Sequence, residues 1–408
     1  MIKEVVIEKL VAGGNGLARD DGRVIFVPYV LPGEKVRIQI QDPFRKQPHA
    51  RVLEWIEPSL ERKIPICPLF TLCGGCQWLH IAYDSQVRCK EEILRETLLR
   101  VAGIDAGPME IVPACQKEAY RTQARLHVNI QGHPGYFAPM SHSVIPISYC
   151  PLHTDSVNRT LAAVQESSWV GVDLLSIRSG EDGEVLLCVE SKQSNLKAIS
   201  WEAVPCDGLY LKGKYVQGQR RLTRRVGDLS FLLLPSTFFQ IHPGMTRALH
   251  TSLRGEAEQL RFQRVVDLYA GAGAMGLSLA DKAEEVWLVE RDRGACEDAK
   301  IALRENQLLN VRVVSAPVEQ GIDLIGSLRA SESVVVLDPP RTGCERKVID
   351  RIGPEAWVAI LYVSCDPATL ARDLARLALH GWHPASLIML DLFPQTFHIE
   401  TLVRLEKA

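Results

Sequence analysis

The chain has no apolar stretch near the roughly 18 to 20 residues that a membrane-spanning helix needs, so no such span is expected. It has no excess of one charge: 47 Lys and Arg against 49 Asp and Glu leave a net −2, which argues against a non-specific binder of nucleic acid. No internal repeat or low-complexity segment is visible, so neither a repeat array nor a long disordered tract organises it. The start, Met1-Ile-Lys-Glu-Val-Val6, lacks a signal-peptide pattern, and a cytoplasmic protein is expected. What is present is a composition of 46% hydrophobic and 24% charged residues over 408 positions, ordinary for about two to four globular domains. Eleven cysteines are many for a cytosolic chain, and an odd number cannot all pair, so metal binding or catalysis is the better reading of some of them.

Residues 1–57 alternate apolar and polar positions. Val5-Val-Ile7, Val24-Ile-Phe-Val27, Val36-Arg-Ile-Gln-Ile40 and Ala50-Arg-Val-Leu53 read as short strands separated by glycine and proline turns, the pattern of a small barrel of the oligonucleotide-binding kind. Residues 59–80 are loop-like and hold three cysteines, and Ser85–Val101 has helical spacing. The next stretch, to 235, is mostly strands, whereas 236–408 alternates strand and helix as an α/β sheet does. The expected organisation is therefore multidomain: a barrel over 1–57, a mostly-β central domain over 58–235, and an α/β Rossmann-like domain over 236–408. Between Lys212 and Arg225 there are six basic residues and no acid, read either as a solvated hairpin or as an edge that contacts phosphates.

Four apolar runs in the last domain end in a reactive residue: Val265-Val266 in Asp267, Val286–Val289 in Glu290, Val334–Leu337 in Asp338, and Ile360–Ser364 in Cys365. Buried parallel strands read as such runs, and ligands of an open doubly wound sheet sit beyond their carboxyl ends. The loop after Asp267 carries Gly271, Gly273 and Gly276 in a G-x-G-x-x-G spacing expected to open a helix, and Glu290 could bond both hydroxyls of a ribose. A dinucleotide or S-adenosylmethionine fits this pattern. Asp338-Pro-Pro-Arg341 favours the second, being a pattern of methyl-transferring enzymes that act on a flat nucleobase. Cys365 precedes a helix that starts near Pro367, which is expected to lower its pKa, although buried cysteines are more often inert. A thiolate beside a methyl donor suits uracil. Addition of sulfur to carbon 6 gives carbon 5 the enolate character needed to take a methyl group; a base then removes the carbon 5 proton and the thiol leaves. Glu400 is the candidate base, with His398 as its competitor. Cys67, Cys73 and Cys76, spaced C-x5-C-x2-C, suit a 4Fe–4S cluster with Cys89, Cys115 or Cys150 as fourth ligand; zinc is the second choice.

With these motifs on the page, the chain resembles the RNA uracil-5-methyltransferases, the family of ribosomal and transfer RNA 5-methyluridine enzymes, almost end to end. Gly14-Asn-Gly16-Leu-Ala-Arg19, Val24–Pro28 and Leu31-Pro-Gly-Glu34 resemble a TRAM domain, an RNA-binding barrel. The resemblance implies Cys365 as nucleophile and Glu400 as base. It implies cofactor contacts from Gln240, Tyr269, Glu290 and Asp338, beside the glycine loop at Gly271 and Gly273. It also implies a 4Fe–4S cluster on Cys67, Cys73, Cys76 and Cys150. The expected reaction is methyl transfer from S-adenosylmethionine to carbon 5 of a uridine in structured RNA, ribosomal RNA before transfer RNA. The expected agent is a monomer with no obligate protein partner. There are departures: Ala270 and Ala274 replace a usual Cys and Asn, His242 stands where Asn is usual, and Thr122 and Gln123 replace an Asn and a basic residue. Two other readings are a nucleotide-dependent iron–sulfur oxidoreductase and a non-catalytic RNA-binding factor. Neither explains Asp338-Pro-Pro, Cys365 and Glu400 together.

Overall fold

The computed structural model describes residues 1–41, 44–193, 203–325 and 330–407, and the chain divides into two compact units. The first comprises 1–96, 136–145 and 393–398; the second comprises 97–135, 146–392 and 399–408.

In the first unit, alternating burial along each strand puts one face on a core. Strands β1 (Ile2–Leu10), β2 (Gly16–Asp20), β3 (Arg23–Val27), β4 (Lys35–Ile40) and β5 (Ala50–Glu57) pair antiparallel in the order β3-β2-β1-β4-β5. A bridge between Phe26 and His49 brings the free edge of β3 to the start of β5, so the sheet curls around Ile7, Ile25, Val27, Val36 and Ile38. The barrel expected from the sequence is there. It has one strand more than the apolar runs mark, because β2 offers only Leu17 and Ala18 to the core. The cysteine segment, 59–80, has neither a helix nor a regular strand. It leads into α1 (Tyr83–Thr97), which buries Ile93 and Leu94.

The second unit holds two large sheets. One is β7 (Gln123–Val128), β8 (Pro134–Phe137), β9 (Val144–Pro146), β10 (Leu174–Ser179), β11 (Val185–Glu190), β12 (Gly208–Leu211) and β13 (Lys214–Gly218), with α2 (Asp155–Gln165) packed on β10 and β11. A hairpin of β14 (Leu222–Val226) and β15 (Leu229–Leu233) follows. The other sheet is built from β6 (Glu110–Val112), β16 (Arg264–Leu268), β17 (Glu285–Glu290), β18 (Val311–Ser315), β19 (Ser333–Leu337), β20 (Ala359–Ser364), β21 (Trp382–Leu390) and β22 (Glu400–Lys407). Its order is β18-β17-β16-β19-β20-β22-β21-β6. The first five strands run parallel, and every residue of β19 and β20 is buried, as in a sheet covered on both faces. Its helices are α3 (Pro243–Glu258), α4 (Ala274–Leu277), α5 (Arg293–Glu305), α6 (Val318–Ile325), α7 (Arg346–Ile352) and α8 (Pro367–Ala378). Chain order reverses between β16 and β19, which makes a topological switch point there. The last two strands form an antiparallel hairpin, and β22 lies between β20 and β21. Among the described residues no helix is long and apolar enough to cross a membrane.

Candidate active site

The registers of the ladders set the strand-end residues side by side. Leu268 pairs with both Val289 and Leu337, and Leu337 pairs with Tyr362. The next residues outward are Glu290, Tyr269, Asp338 and the end of β20 that leads to Cys365. On the far side of β20, Ser364 pairs antiparallel with Thr401, so Cys365 and Glu400 occupy the next rung beyond that pair. Five residues that span 132 positions of sequence thus share one sheet edge.

The glycine loop is held by the acids around it. The Asp267 carboxylate accepts the Gly276 amide at 2.8 Å, and Glu290 accepts the amides of Gly271 (2.9 Å) and Asp292 (2.7 Å). A Cβ on Gly273 or Gly276 would lie 2.5 Å from the Leu288 side chain, so close packing against β17 demands glycine at both. Tyr269 has φ +64°, a conformation that costs a non-glycine residue about 1–3 kcal/mol and tends to persist at functional sites. The helix expected after the loop is one turn, α4, followed by a 3₁₀ turn at Ala280–Lys282.

Burial governs the ionisation of this edge. It pushes Asp267 up to about 8 and Asp338 up to about 7, and it raises Glu400 well above the usual carboxylate range, helped by Asp338 and opposed by Arg341. The Cys365 thiol is pushed up to about 12, first by burial and then by the Glu400 and Asp338 carboxylates. This reverses the expected lowering. The N-terminus of α8 is already capped by Asp366, whose carboxylate takes the Thr369 amide at 2.8 Å and adds negative charge beside the thiol. Glu400 is 1% exposed, and its Oε2 has no hydrogen-bond partner among the described residues.

A pH dependence of stability follows from the raised acids. The folded chain keeps protons that the unfolded chain releases near pH 4, so their stabilising contribution is complete below that pH. It is lost as pH rises through about 7 for Asp338 and about 8 for Asp267. The ligand-free protein should therefore melt at lower temperature at pH 9 than at pH 6, and Asp338→Asn should reduce that drop. Calorimetry showing the same drop in both proteins would contradict the assignment.

Two acids that the sequence reading missed position these groups. Asp373 is fully buried; its Oδ2 accepts the Tyr362 hydroxyl (2.8 Å) and the Cys344 amide (2.7 Å), and its Oδ1 accepts Arg372 Nε (2.9 Å). With Arg372 donating to the Thr342 carbonyl at 2.8 Å, this ties the loop after Asp338 to α8. Asp298 is also fully buried and accepts the Leu234 amide (2.7 Å) and the Thr237 hydroxyl (2.6 Å), which anchors the segment carrying Gln240 to α5. The signal was available: Asp373 lies three residues after Leu370 and four before Leu377, and Asp298 three after Ala295 and four before Ala302, so each is an acid on a buried helix face. Asp373→Ala should cost about 3 kcal/mol in chemical denaturation, since it strands buried donors. A loss below about 1 kcal/mol would show that the loop does not depend on it.

The departures also find places. His242 is buried, stacked on Tyr120 at 4.5 Å; its Nδ1 accepts the Met245 amide as the N-cap of α3, and its Nε2 donates to the Gln116 carbonyl at 2.8 Å. It does the capping work for which Asn is suited. Burial lowers its pKa, which favours the neutral ring. Phe239 packs against Phe231 at 5.6 Å, whereas Phe238 is 66% exposed. Gln240 is part-buried at the end of the anchored segment.

Of the six basic residues over 212–225, Arg221 pairs with Asp298 at 2.9 Å, Arg225 pairs with Asp182 at 3.3 Å, and Arg224 is buried. Lys212, Lys214, Arg220 and Arg225 are exposed, and the Arg220 guanidinium lies over the Tyr215 ring at 4.4 Å. The cysteines Cys67, Cys73 and Cys76 lie on one loop of the first unit, and Cys150 belongs to the second. Among the described residues no group of three or more His, Cys, Asp or Glu side chains is arranged to hold a metal ion.

Residues 255–408, which include β16 to β22, match the family model for tRNA (uracil-5-)-methyltransferase, and residues 2–53, the barrel, match the TRAM domain. An uncharacterized RNA methyltransferase of Gloeobacter violaceus is 31% identical across 99% of this chain and 96% of its own length. Another, from Thermosynechococcus vestitus, is 30% identical across 98% of this chain and 97% of its own. The chain belongs to the RNA (uracil-5-)-methyltransferase family. The structure of a Pyrococcus abyssi tRNA (uracil-54, C5)-methyltransferase, solved with S-adenosyl-L-homocysteine, has the same fold: TM-score 0.77 at 23% identity, over 99% of this chain and all of that one. This RNA methyltransferase thus joins a TRAM domain to a methyltransferase sheet whose strand ends carry Glu290, Tyr269, Asp338 and Cys365.

Proposed function

We propose that the protein transfers a methyl group from S-adenosylmethionine to carbon 5 of a uridine in structured RNA, through a transient bond between Cys365 and carbon 6. The observation that carries this reading is the rung beyond Ser364 and Thr401, which sets a thiol opposite a buried carboxyl group. The crevice fits the cofactor. Glu290 is fixed by two amides at the end of β17, and the carboxyls of Asp267 and Asp338 are buried at the ends of neighbouring strands, which supports a cationic cofactor there. Tyr269 and Gln240 complete the set implied by the family. When bound, the cofactor supplies the methyl group as an electrophile.

The remaining steps belong to this chain and the RNA. The uridine must leave its stack to reach the sheet edge, and the exposed ring of Phe238 offers a face for an unstacked base. The Cys365 thiol loses its proton to solvent, and the thiolate adds to carbon 6, which moves the electron pair of the carbon 5–carbon 6 double bond toward carbon 5. After carbon 5 has taken the methyl group, Glu400 accepts the carbon 5 proton, the ring double bond re-forms and the carbon–sulfur bond breaks. Burial and Asp338 raise the Glu400 pKa in the free protein, and a positive charge in the crevice favours its ionised form.

The family implies an iron–sulfur cluster on Cys67, Cys73, Cys76 and Cys150. Those cysteines would hold it through their thiolates, and the methyl transfer itself moves no electrons. The test of the function is to incubate the protein with methyl-labelled donor and total RNA lacking 5-methyluridine, then map the label. Label on carbon 5 of a uridine is expected, in ribosomal RNA first and transfer RNA second. Label on another base or atom would overturn the reading.

A further inference from the structure

The loop that leads into Glu400 is held by a buried amide pair. Glu400 is the first residue of β22 and pairs with Leu390 of β21, and residues 391–399 close that hairpin. The ladder to β20 ends at Thr401, one residue short of Glu400. The course of the loop therefore sets where Glu400 enters its strand. Residues 393–398 of the loop belong to the first unit.

Within that unit, Gln86 of α1 and Gln395 of the loop are both fully buried. The Gln395 backbone amide donates to Gln86 Oε1 at 2.9 Å, and Gln86 Nε2 donates to Gln395 Oε1 at 2.9 Å. The same Nε2 faces the carbonyls of Ile81 (2.9 Å) and Trp78 (3.1 Å), and the Trp78 amide donates to the Gln395 carbonyl at 3.1 Å. One donor and three acceptors around the Gln86 side chain decide which way its amide points. Lys90, one turn further along α1, donates to the Phe393 carbonyl at 3.1 Å. Gln395 has φ +69°, a left-handed conformation that is costly for a non-glycine residue and persists where the surroundings dictate it. A turn needed for stability alone is better served by glycine at such a position. Here the chain keeps a side chain whose amide completes the pair.

We propose that Gln86 and Gln395 are positioning residues for the base: their amide pair fixes the loop and, through it, the point at which the chain delivers Glu400. The proposal rests on Glu400 acting as base in the reaction proposed above. Taking a proton from carbon 5 requires the carboxylate within hydrogen-bond reach, and a misplacement of about 1 Å costs on the order of 10²-fold. Sulfur addition and methyl transfer use residues at other strand ends and do not depend on the pair.

The test is single-turnover methylation by the full chain with methyl-labelled donor and RNA lacking 5-methyluridine. Label is followed in SDS-resistant protein–RNA adduct and in released RNA. In Gln86→Met, which keeps the volume and removes the amide, the adduct should form within about threefold of the wild-type rate and break down about 10- to 100-fold more slowly. In steady state kcat should fall by that factor with kcat/KM for RNA little changed, because the loss comes after methyl transfer. Gln395→Gly keeps the backbone amide that bonds Gln86 and relieves the left-handed strain, so it should fold and show the same split to a lesser degree. A merely structural pair lowers the melting temperature and slows formation and breakdown alike, or slows neither. Either result in both variants would overturn the proposal. Glu400→Gln is the control. If it accumulates no adduct, the base assignment fails and takes this inference with it. Adduct in Glu400→Gln beside normal breakdown in both glutamine variants defeats the positioning alone.

Discussion

Cys365→Ala should bind RNA and cofactor as the wild type does and transfer no methyl group. Loss of a covalent nucleophile lowers turnover by on the order of 10⁶-fold in enzymes where it has been isolated, so the expected label in RNA is indistinguishable from a no-enzyme control. The side chain is small and only part-buried, so folding should be little affected. The pH behaviour of the wild type separates chemistry from binding. With the thiol held up at about 12 in the ligand-free protein, alkylation of Cys365 should be slow at pH 7 and should quicken with each unit of pH up to that value. Fast, pH-independent alkylation near neutrality would mean that the thiol is already ionised and that Glu400 and Asp338 do not act on it. Methylation by Cys365→Ala within tenfold of wild type would end the covalent mechanism outright.

Glu400→Gln should do something different: form the bond to RNA and fail to release it. Loss of a general base costs about 10²- to 10⁴-fold in turnover. Here the loss falls after the carbon–sulfur bond has formed, so a protein–RNA adduct that survives SDS should accumulate, with the methyl label in it. Gln has the same shape as the protonated acid that burial favours in the ligand-free protein, and Glu400 Oε2 lacks a partner there. The variant should consequently melt no lower than wild type, which makes a folding defect an inadequate explanation of lost turnover. Normal turnover without an adduct would remove Glu400 from the mechanism and return His398, which packs against Phe397 at 4.5 Å, to consideration.

The apolar runs located the strands because parallel strands covered on both faces need unbroken β-branched sequence. Val334–Leu337 and Ile360–Ser364 are accordingly buried at every position. Strand β2 was harder to see because it is short, lies between turns, and offers only Leu17 and Ala18 as buried apolar side chains. The pKa of Cys365 came out with the wrong sign from sequence. Helix position can be read locally, but burial and the approach of carboxylates from β19 and β22 cannot. Likewise, a run of basic residues looks like one surface until the fold turns alternate strand positions inward, which is why Arg224 is buried and Arg225 is not.

By itself the sequence picked out the candidate reactive residues, the strands that end in them, and the family to which the chain belongs. Each of these depends on local pattern and residue type. Only the tertiary structure decided that Glu400 stands across from Cys365. That depends on β22 inserting between β20 and β21, a choice of strand partner made by long-range packing and backbone pairing, to which no neighbouring residue in the chain testifies.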